Sequence, residues 1–106
     1  MPKFLVQASY TAEGARGILE SGGSGRRKAV EELLASVGGR LESFYFTFGG
    51  DDAILIVELP DMATASAIAL AVNSSGTVKS RTTVLIPVEE VDTAAKREVH
   101  FRPPGA

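Results

Sequence analysis

The sequence predicts an α+β protein in which four strands form one antiparallel sheet and two main helices cover one face of it. Three observations lead to this prediction. The segments follow in the order strand, helix, strand, strand, helix, strand. A short turn of glycine and aspartate at residues 49–52 joins the middle strands as a hairpin. The third strand is apolar on both sides, which is typical of a strand covered on both faces.

The first half of the chain contains one strand, a glycine-rich break and a helix on each side of that break. Residues 4–10 alternate between apolar and polar side chains, which predicts a strand. Thr11 caps a short predicted helix through Leu19, and the glycine-rich residues 21–25 end it. Residues 26–37 then predict a stronger helix, because four apolar residues share one stripe: Val30, Leu33, Leu34 and Val37.

The second half contains the hairpin, a helix, a strand and a final short helix. Strands are predicted at residues 40–48, 53–59 and 77–86, a helix at 62–72 after the capping residue Asp61, and a last helix at 88–96. Simple alternation places two sets of side chains on opposite faces of the second strand. They are Phe44, Phe46 and Phe48 on one face, and Leu41, Ser43, Tyr45 and Thr47 on the other.

Two β-α-β units in this order give the ferredoxin-like βαββαβ topology, with the first and third strands at the centre. We expect one domain at residues 1–97 and a C-terminal tail at residues 98–106. The helices leave one face of the sheet bare, with Leu5, one side of the third strand, and an aromatic residue or Leu41 upon it. Apolar patches of several hundred Å² usually mark an interface. The sequence therefore predicts a homodimer or a larger homo-oligomer.

Composition excludes several classes of function. The net charge is −2 and the one dense basic run is followed by Glu31 and Glu32, which argues against nucleic-acid binding. The chain has no cysteine and one histidine, so we expect no metal site and no cofactor. No apolar run approaches the roughly 20 residues that span a bilayer, and the N-terminus does not resemble a signal peptide. A cytoplasmic location is expected by elimination.

Two polar segments are candidate ligand sites. Arg26 and Arg27 follow the glycine-rich break at a helix start, where free amides and guanidinium groups favour phosphate or carboxylate. The alternative is a flexible connection with a solvated basic turn. Asp51 and Asp52 could supply a general base or half of a cation site. A turn explains them better, because adjacent strand residues point to opposite faces.

The candidate catalytic residues are two tyrosines, an arginine and the histidine. Tyr10, Tyr45 and Arg81 could line a cavity between the sheet and a covering element, with a proton donor and a fixed charge for an anionic substrate. The alternative makes the tyrosines core or interface residues and Arg81 a surface charge. His100 is the sole imidazole of the chain, and its use in catalysis would require the tail to fold over a pocket.

Several short motifs resemble the GYD-domain family of small bacterial and archaeal proteins over nearly the whole chain. They lie at residues 2–6, 22–27, 38–46, 48–49, 59–61 and 75–78. The Gly-Tyr-Asp signature of that family falls in the central turn. Here Gly49-Gly50-Asp51-Asp52 keeps a glycine and the final aspartate, Asp52, and has aspartate in place of the tyrosine. The resemblance implies a dimeric α+β barrel and little about activity.

Three hypotheses of function follow. The first is an oligomeric, non-catalytic barrel that binds a small anionic or aromatic ligand. The second is a cofactor-free enzyme, isomerase or monooxygenase-like, acting on such a molecule in the barrel. The third is a protein-interaction module without a pocket. The fold does not separate them, because this architecture carries many unrelated functions.

Overall fold

The computed structural model describes residues 1–105 and has the α+β architecture expected from the sequence. Its elements are β1 (Lys3–Tyr10), α1 (Ala12–Ser36), β2 (Arg40–Phe46), β3 (Ala53–Glu58), α2 (Met62–Ser74), β4 (Val78–Leu85) and α3 (Val88–Ala95). The strands form one antiparallel sheet in the order β2-β3-β1-β4. The first and third strands are therefore central, which confirms the ferredoxin-like prediction.

Helix α1 is one element with a kink where the sequence predicted a five-residue break. Thr11 caps it as expected, since its side-chain oxygen accepts a hydrogen bond from the amide of Gly14 at 3.3 Å. Gly22 alone leaves the helical conformation, with φ of 72° and ψ of 172°. The predicted gap at 21–25 is therefore wrong in extent. One left-handed glycine redirects the chain, and Gly23 to Gly25 resume the helix at once.

A β-bulge in β2 changes which face Leu41 occupies. The register with β3 pairs Leu41 with Val57 and Ser43 with Ile56, so Glu42 is an extra residue. Leu41 therefore packs on the core beside Val57, while Ser43 lies on the opposite face. The prediction that Leu41 shares a face with Ser43 and Tyr45 is wrong, because simple alternation does not account for an inserted residue.

The core lies between the sheet and helices α1 and α2. Phe4 is 1% exposed and Ala53 is fully buried, both on central strands. Helix α1 contributes Val30 and Leu34, and α2 contributes Ala65. Because both helices pack on this face, the opposite face of the sheet has no covering layer within residues 1–105.

The C-terminal segment, residues 86–105, extends away from this body. Every residue in it is exposed, including apolar Val88, Val91, Val99 and Phe101. The radius of gyration is 17.0 Å, compared with about 13 Å for a compact chain of this length. Ala106, the last residue of the predicted tail, lies outside the described residues, and the predicted domain boundary at residue 97 stays a prediction. Within the described chain, no helix has the length and apolarity to cross a membrane.

Candidate functional site

The uncovered side of the sheet, which we call the open face, has an apolar centre. Strand register aligns its side chains in three rows across β2, β3, β1 and β4. These rows are Arg40–Glu58–Lys3–Leu85, Ser43–Ile56–Leu5–Thr83 and Tyr45–Ile54–Gln7–Arg81. The middle of this grid consists of Leu5, Ile54 and Ile56, each half-buried by its neighbours within the chain. Tyr45 at the rim is 71% exposed.

Two ion pairs lie at one end of the open face. The Lys3 ammonium donates to Glu42 Oε1 at 2.6 Å, and this hydrogen bond raises the pKa of Lys3. Arg40 Nε donates to Glu58 Oε2 at 2.7 Å, and a second Arg40 nitrogen contacts the same oxygen. The hydrogen bond from Arg40 lowers the pKa of Glu58 despite the opposing effect of desolvation. This end of the face is therefore internally neutralised.

A second polar cluster lies at the other end of the open face. Asp51 Oδ2 accepts hydrogen bonds from Gln7 Nε2 at 3.2 Å and from an Arg81 terminal nitrogen at 2.9 Å. The Asp51 side chain is 18% exposed and that of Arg81 is 68% exposed. Arg81 is thus held beside β1 by its hydrogen bond to Asp51. Its charge is already partnered in the single chain.

The neighbouring Asp52 serves the backbone of β1. Its Oδ2 accepts a hydrogen bond from the amide of Tyr10 at 2.9 Å, and its own amide donates to the carbonyl of Ala8 at 2.8 Å. Asp52 therefore extends the pairing with β1 by one residue before Ala53, the first residue of β3. The two aspartates therefore have separate hydrogen-bond partners.

The covered side of the sheet contains a cavity of about 70 Å³ between α1, α2 and the central strands. Its walls are almost wholly apolar side chains, among them Val30 and Leu34 of α1 and Ile68 and Val72 of α2. Arg26 is the charged residue of this wall. Arg26 and Tyr10 also line an open groove of about 360 Å³ beneath the first half of α1. Together with Val78, which also lines both spaces, these two residues lie between the inner cavity and the outer groove.

Arg26 and Arg27, predicted to bind an anion together, point in different directions. The Arg26 guanidinium carbon lies 5.7 Å from the centre of the Tyr10 ring, and its Nε is buried without a hydrogen-bond partner. Arg27 faces outward, 3.9 Å from Glu31. The sequence signal for this difference is helical spacing, since Arg26 precedes Val30 by four residues and so shares its inward stripe.

The other predicted site residues do not meet in one cavity. Tyr10 pairs with Val78 on the covered side, whereas Tyr45 and Arg81 lie in one row on the open face. His100 is 91% exposed in the C-terminal segment, 3.8 Å from Glu98. The sheet separates Tyr10 from Tyr45 and Arg81, so these three residues do not line one cavity within residues 1–105. Among residues 1–105, no three His, Asp or Glu side chains cluster closely enough to hold a metal ion.

These features define a ferredoxin-like α+β protein with one open sheet face and one partly enclosed cavity. The crystal structure of MtbAldR has a similar fold, with a TM-score of 0.56 and 21% identity. The alignment covers 99% of this chain and 56% of that one, so this chain spans little more than half of the solved protein. At this identity the likeness concerns the fold alone.

The chain belongs to the GYD domain family, whose model matches residues 4–95. It is also 34% identical over 92 residues to a protein of Thermus thermophilus named "Glutamine synthetase and cystathionine beta-lyase binding protein". That alignment covers 86% of this chain and 95% of the relative. The family assignment predicted from the short motifs is therefore confirmed.

Proposed function

We propose that this protein is a homo-oligomeric binding protein, in which the open face of one chain packs against that of a second copy. The observation that carries the proposal is the uncovered apolar centre formed by Leu5, Ile54 and Ile56. A neutralised polar frame surrounds this centre, because Glu58 and Asp51 are each paired with an arginine. Such a frame allows the face to be buried without leaving isolated charges.

The total surface of the chain supports an assembly. The accessible surface of the single chain is 7455 Å². A compact monomer of 11.1 kDa has about 5,700 Å². The excess of roughly 1,800 Å² is comparable to what one subunit contributes to a large obligate interface. The open face and the exposed C-terminal segment are the parts of the chain that such an interface would cover.

Helix α3 gives a second reason to expect a partner copy. It has no buried residue, yet Val88 and Val91 lie on it at helical spacing. An eight-residue helix is marginal in water without packing. We therefore expect α3 to pack against a neighbouring chain in the assembly. The cytoplasmic location predicted from the sequence is retained as part of this proposal.

We further propose that the assembly binds metabolic enzymes, as the name of the Thermus thermophilus relative states for that protein. The near-complete alignment of the two chains supports this extension. The alternative of a cofactor-free enzyme has less support, because its candidates Tyr10, Tyr45, Arg81 and His100 are dispersed over both faces and the tail. A small-ligand function has its own support on the covered side of the sheet.

Biolayer interferometry tests the enzyme-binding proposal. The immobilised full chain is exposed to purified glutamine synthetase and to purified cystathionine β-lyase from the source organism, with an unrelated oligomeric enzyme as the reference. We expect saturable binding of at least one of the two enzymes and none of the reference. Equal responses to all three would contradict the proposal, whatever the oligomeric state.

A matched pair of variants links this binding to assembly. Ile54→Arg places a charge in the centre of the open face, and Leu70→Arg makes the same change on the exposed side of α2, where Leu70 is 73% exposed. We expect Ile54→Arg to dissociate the oligomer and reduce enzyme binding through lost avidity. We expect Leu70→Arg to keep both the oligomer and enzyme binding. Normal assembly of Ile54→Arg would show that the open face is not the interface.

A further inference from the structure

The wall of the cavity between α1, α2 and the sheet contains an arginine nitrogen without a hydrogen-bond acceptor. Arg26 Nε is buried and unpartnered. Within residues 1–105 its guanidinium group has the Tyr10 ring as its neighbour, at 5.7 Å, and no ion pair or hydrogen bond. A buried cationic nitrogen without an acceptor costs free energy. This geometry therefore favours an oxyanion at Arg26.

The space beside Arg26 indicates the rest of the ligand. The cavity of about 70 Å³ has room for a small group of non-hydrogen atoms beside Arg26. Its walls are mainly aliphatic, with Val30, Leu34, Ile68 and Val72 among them. The strands add three hydroxyl-bearing residues, Tyr10, Ser80 and Thr82. No carboxylate lines it to receive an ammonium group. The cavity therefore suits a short hydrocarbon chain.

An entry route joins the cavity to solvent. Tyr10, Arg26 and Val78 line both the inner cavity and the outer groove. The groove is also lined by Glu13 and by Gly17, where a Cβ would meet nothing within 4 Å, so the groove is open at Gly17. A ligand entering tail first would leave its head group beside Arg26, at the boundary of the two spaces.

We propose that this cavity binds a short aliphatic carboxylate, with the carboxylate on Arg26 and the tail between α1 and α2. The site lies on the side of the sheet opposite the open face, so this inference is independent of the proposed oligomer. It also explains why Arg26 occupies an inward position on a helical stripe that is otherwise aliphatic.

Methyl NMR of the full chain, titrated with isovalerate, tests the site. We expect shifts at Val30, Leu34 and Val72 and an affinity about tenfold or more above that of isovaleramide, which keeps the shape and lacks the charge. Acetate, without a tail, and octanoate, which exceeds the volume, should both bind more weakly than isovalerate. Absence of shifts at these methyl groups, shifts confined to Leu5, Ile54 and Ile56, or equal affinity for acid and amide, would overturn the proposal.

Two neighbouring substitutions separate binding from structure. Arg26→Gln removes the charge, and Arg27→Gln makes the same change on the outward residue that faces Glu31. We expect Arg26→Gln to weaken isovalerate binding about tenfold or more without lowering the Tm of the free protein, and Arg27→Gln to bind normally. Equal binding by Arg26→Gln and the unaltered protein would overturn the assignment. If Arg26→Gln does not fold, the acid–amide comparison in the unaltered chain decides.

Filling the cavity provides an independent check. Ala69 lines the cavity and is half-buried, so Ala69→Leu occupies the proposed tail position and leaves Arg26 in place. We expect this variant to lose isovalerate binding while keeping the methyl spectrum of a folded chain. Unchanged affinity in Ala69→Leu would place the ligand elsewhere and contradict the proposal.

Discussion

At the residue scale, Asp51 and Asp52 show how one turn serves both faces of the sheet. Asp51 reaches across the open face to Gln7 and Arg81, whereas Asp52 accepts the Tyr10 amide at the end of β1. Adjacent extended residues project in opposite directions, so the pair joins different groups. Asp52 therefore supports the end of β1, and Asp51 contributes to the open face.

Gly14 and Gly17 lie one turn apart in α1, and we expect a change to alanine to have opposite effects on stability at the two positions. A Cβ at Gly14 would lie 2.1 Å from the backbone oxygen of Thr77, whereas one at Gly17 would meet nothing within 4 Å. We expect Gly14→Ala to destabilise the fold by about 1–3 kcal/mol through this clash. Gly17→Ala should stabilise it by about 0.5–1 kcal/mol through helix propensity. Urea unfolding of both variants measures this difference, and equal free energies of unfolding would contradict the packing of α1 on the start of β4.

The stability of the fold should decline in acid because of two carboxylates. The hydrogen bond from Arg40 lowers the pKa of Glu58, and the Thr64 amide, which donates to Asp61 at 2.8 Å, lowers that of Asp61. A group with a lower pKa in the folded chain stabilises it above its unfolded pKa, and this contribution is lost as the pH falls through the folded value. We expect a constant Tm down to about pH 5 and a decrease below about pH 4.

Glu58→Gln should reduce the acid sensitivity, because the charge-assisted contact with Arg40 is then absent at every pH. Glu89→Gln, on the exposed helix α3, is the matched control and should keep the profile of the unaltered protein. Thermal melts from pH 3 to 7 measure both. If the two variants gave the same dependence of Tm on pH, the Arg40–Glu58 pair would not contribute to the acid sensitivity of the fold.

At the element scale, the C-terminal segment is the part of the chain with the least support from its own domain. Helix α3 and the residues after it are exposed throughout. We expect a chain ending at Ile86 to keep the thermal stability of the monomeric domain and to form a weaker oligomer, because α3 then no longer packs on a second copy. Sedimentation equilibrium of both chains measures the dissociation constant. Identical constants would show that the segment lies outside the interface.

Most elements could be predicted from sequence, and two local features could not. Alternation identified the strands, and Thr11 and Asp61 identified the helix starts. The bulge at Glu42 was missed because an inserted residue follows the same local pattern as regular pairing. The length of the break at Gly22 was overestimated, because glycine and serine occur in both helices and loops and five such residues follow one another here.

The candidate site was less predictable, since it depends on contacts between distant segments. The sequence indicated Arg26, but its buried position over Tyr10 requires the packing of α1 on β1. Arg81 was predicted as a possible cavity residue, and its pairing with Asp51 depends on the register of β1 and β4. Residue type identified the candidate residues. The strand register was needed to show that Tyr10 lies on the covered side of the sheet and that Tyr45 and Arg81 lie on the open face.

At the scale of the whole molecule, the chain has more surface than a compact monomer needs. The extents of 56 × 32 × 23 Å and the accessible surface of 7455 Å² both reflect an uncovered sheet and an extended C-terminal segment. Burying apolar surface stabilises an assembly by about 25 cal/mol per Å² before association costs are subtracted. We therefore expect the isolated chain to be a minor species at micromolar concentration.

Static light scattering coupled to size-exclusion chromatography tests this claim most directly. The account predicts a molar mass of at least twice the 11.1 kDa of one chain for the full-length protein at micromolar concentration. It predicts the same mass for Leu70→Arg and the mass of a single chain for Ile54→Arg. A mass of 11.1 kDa for the unaltered protein at every concentration would contradict it.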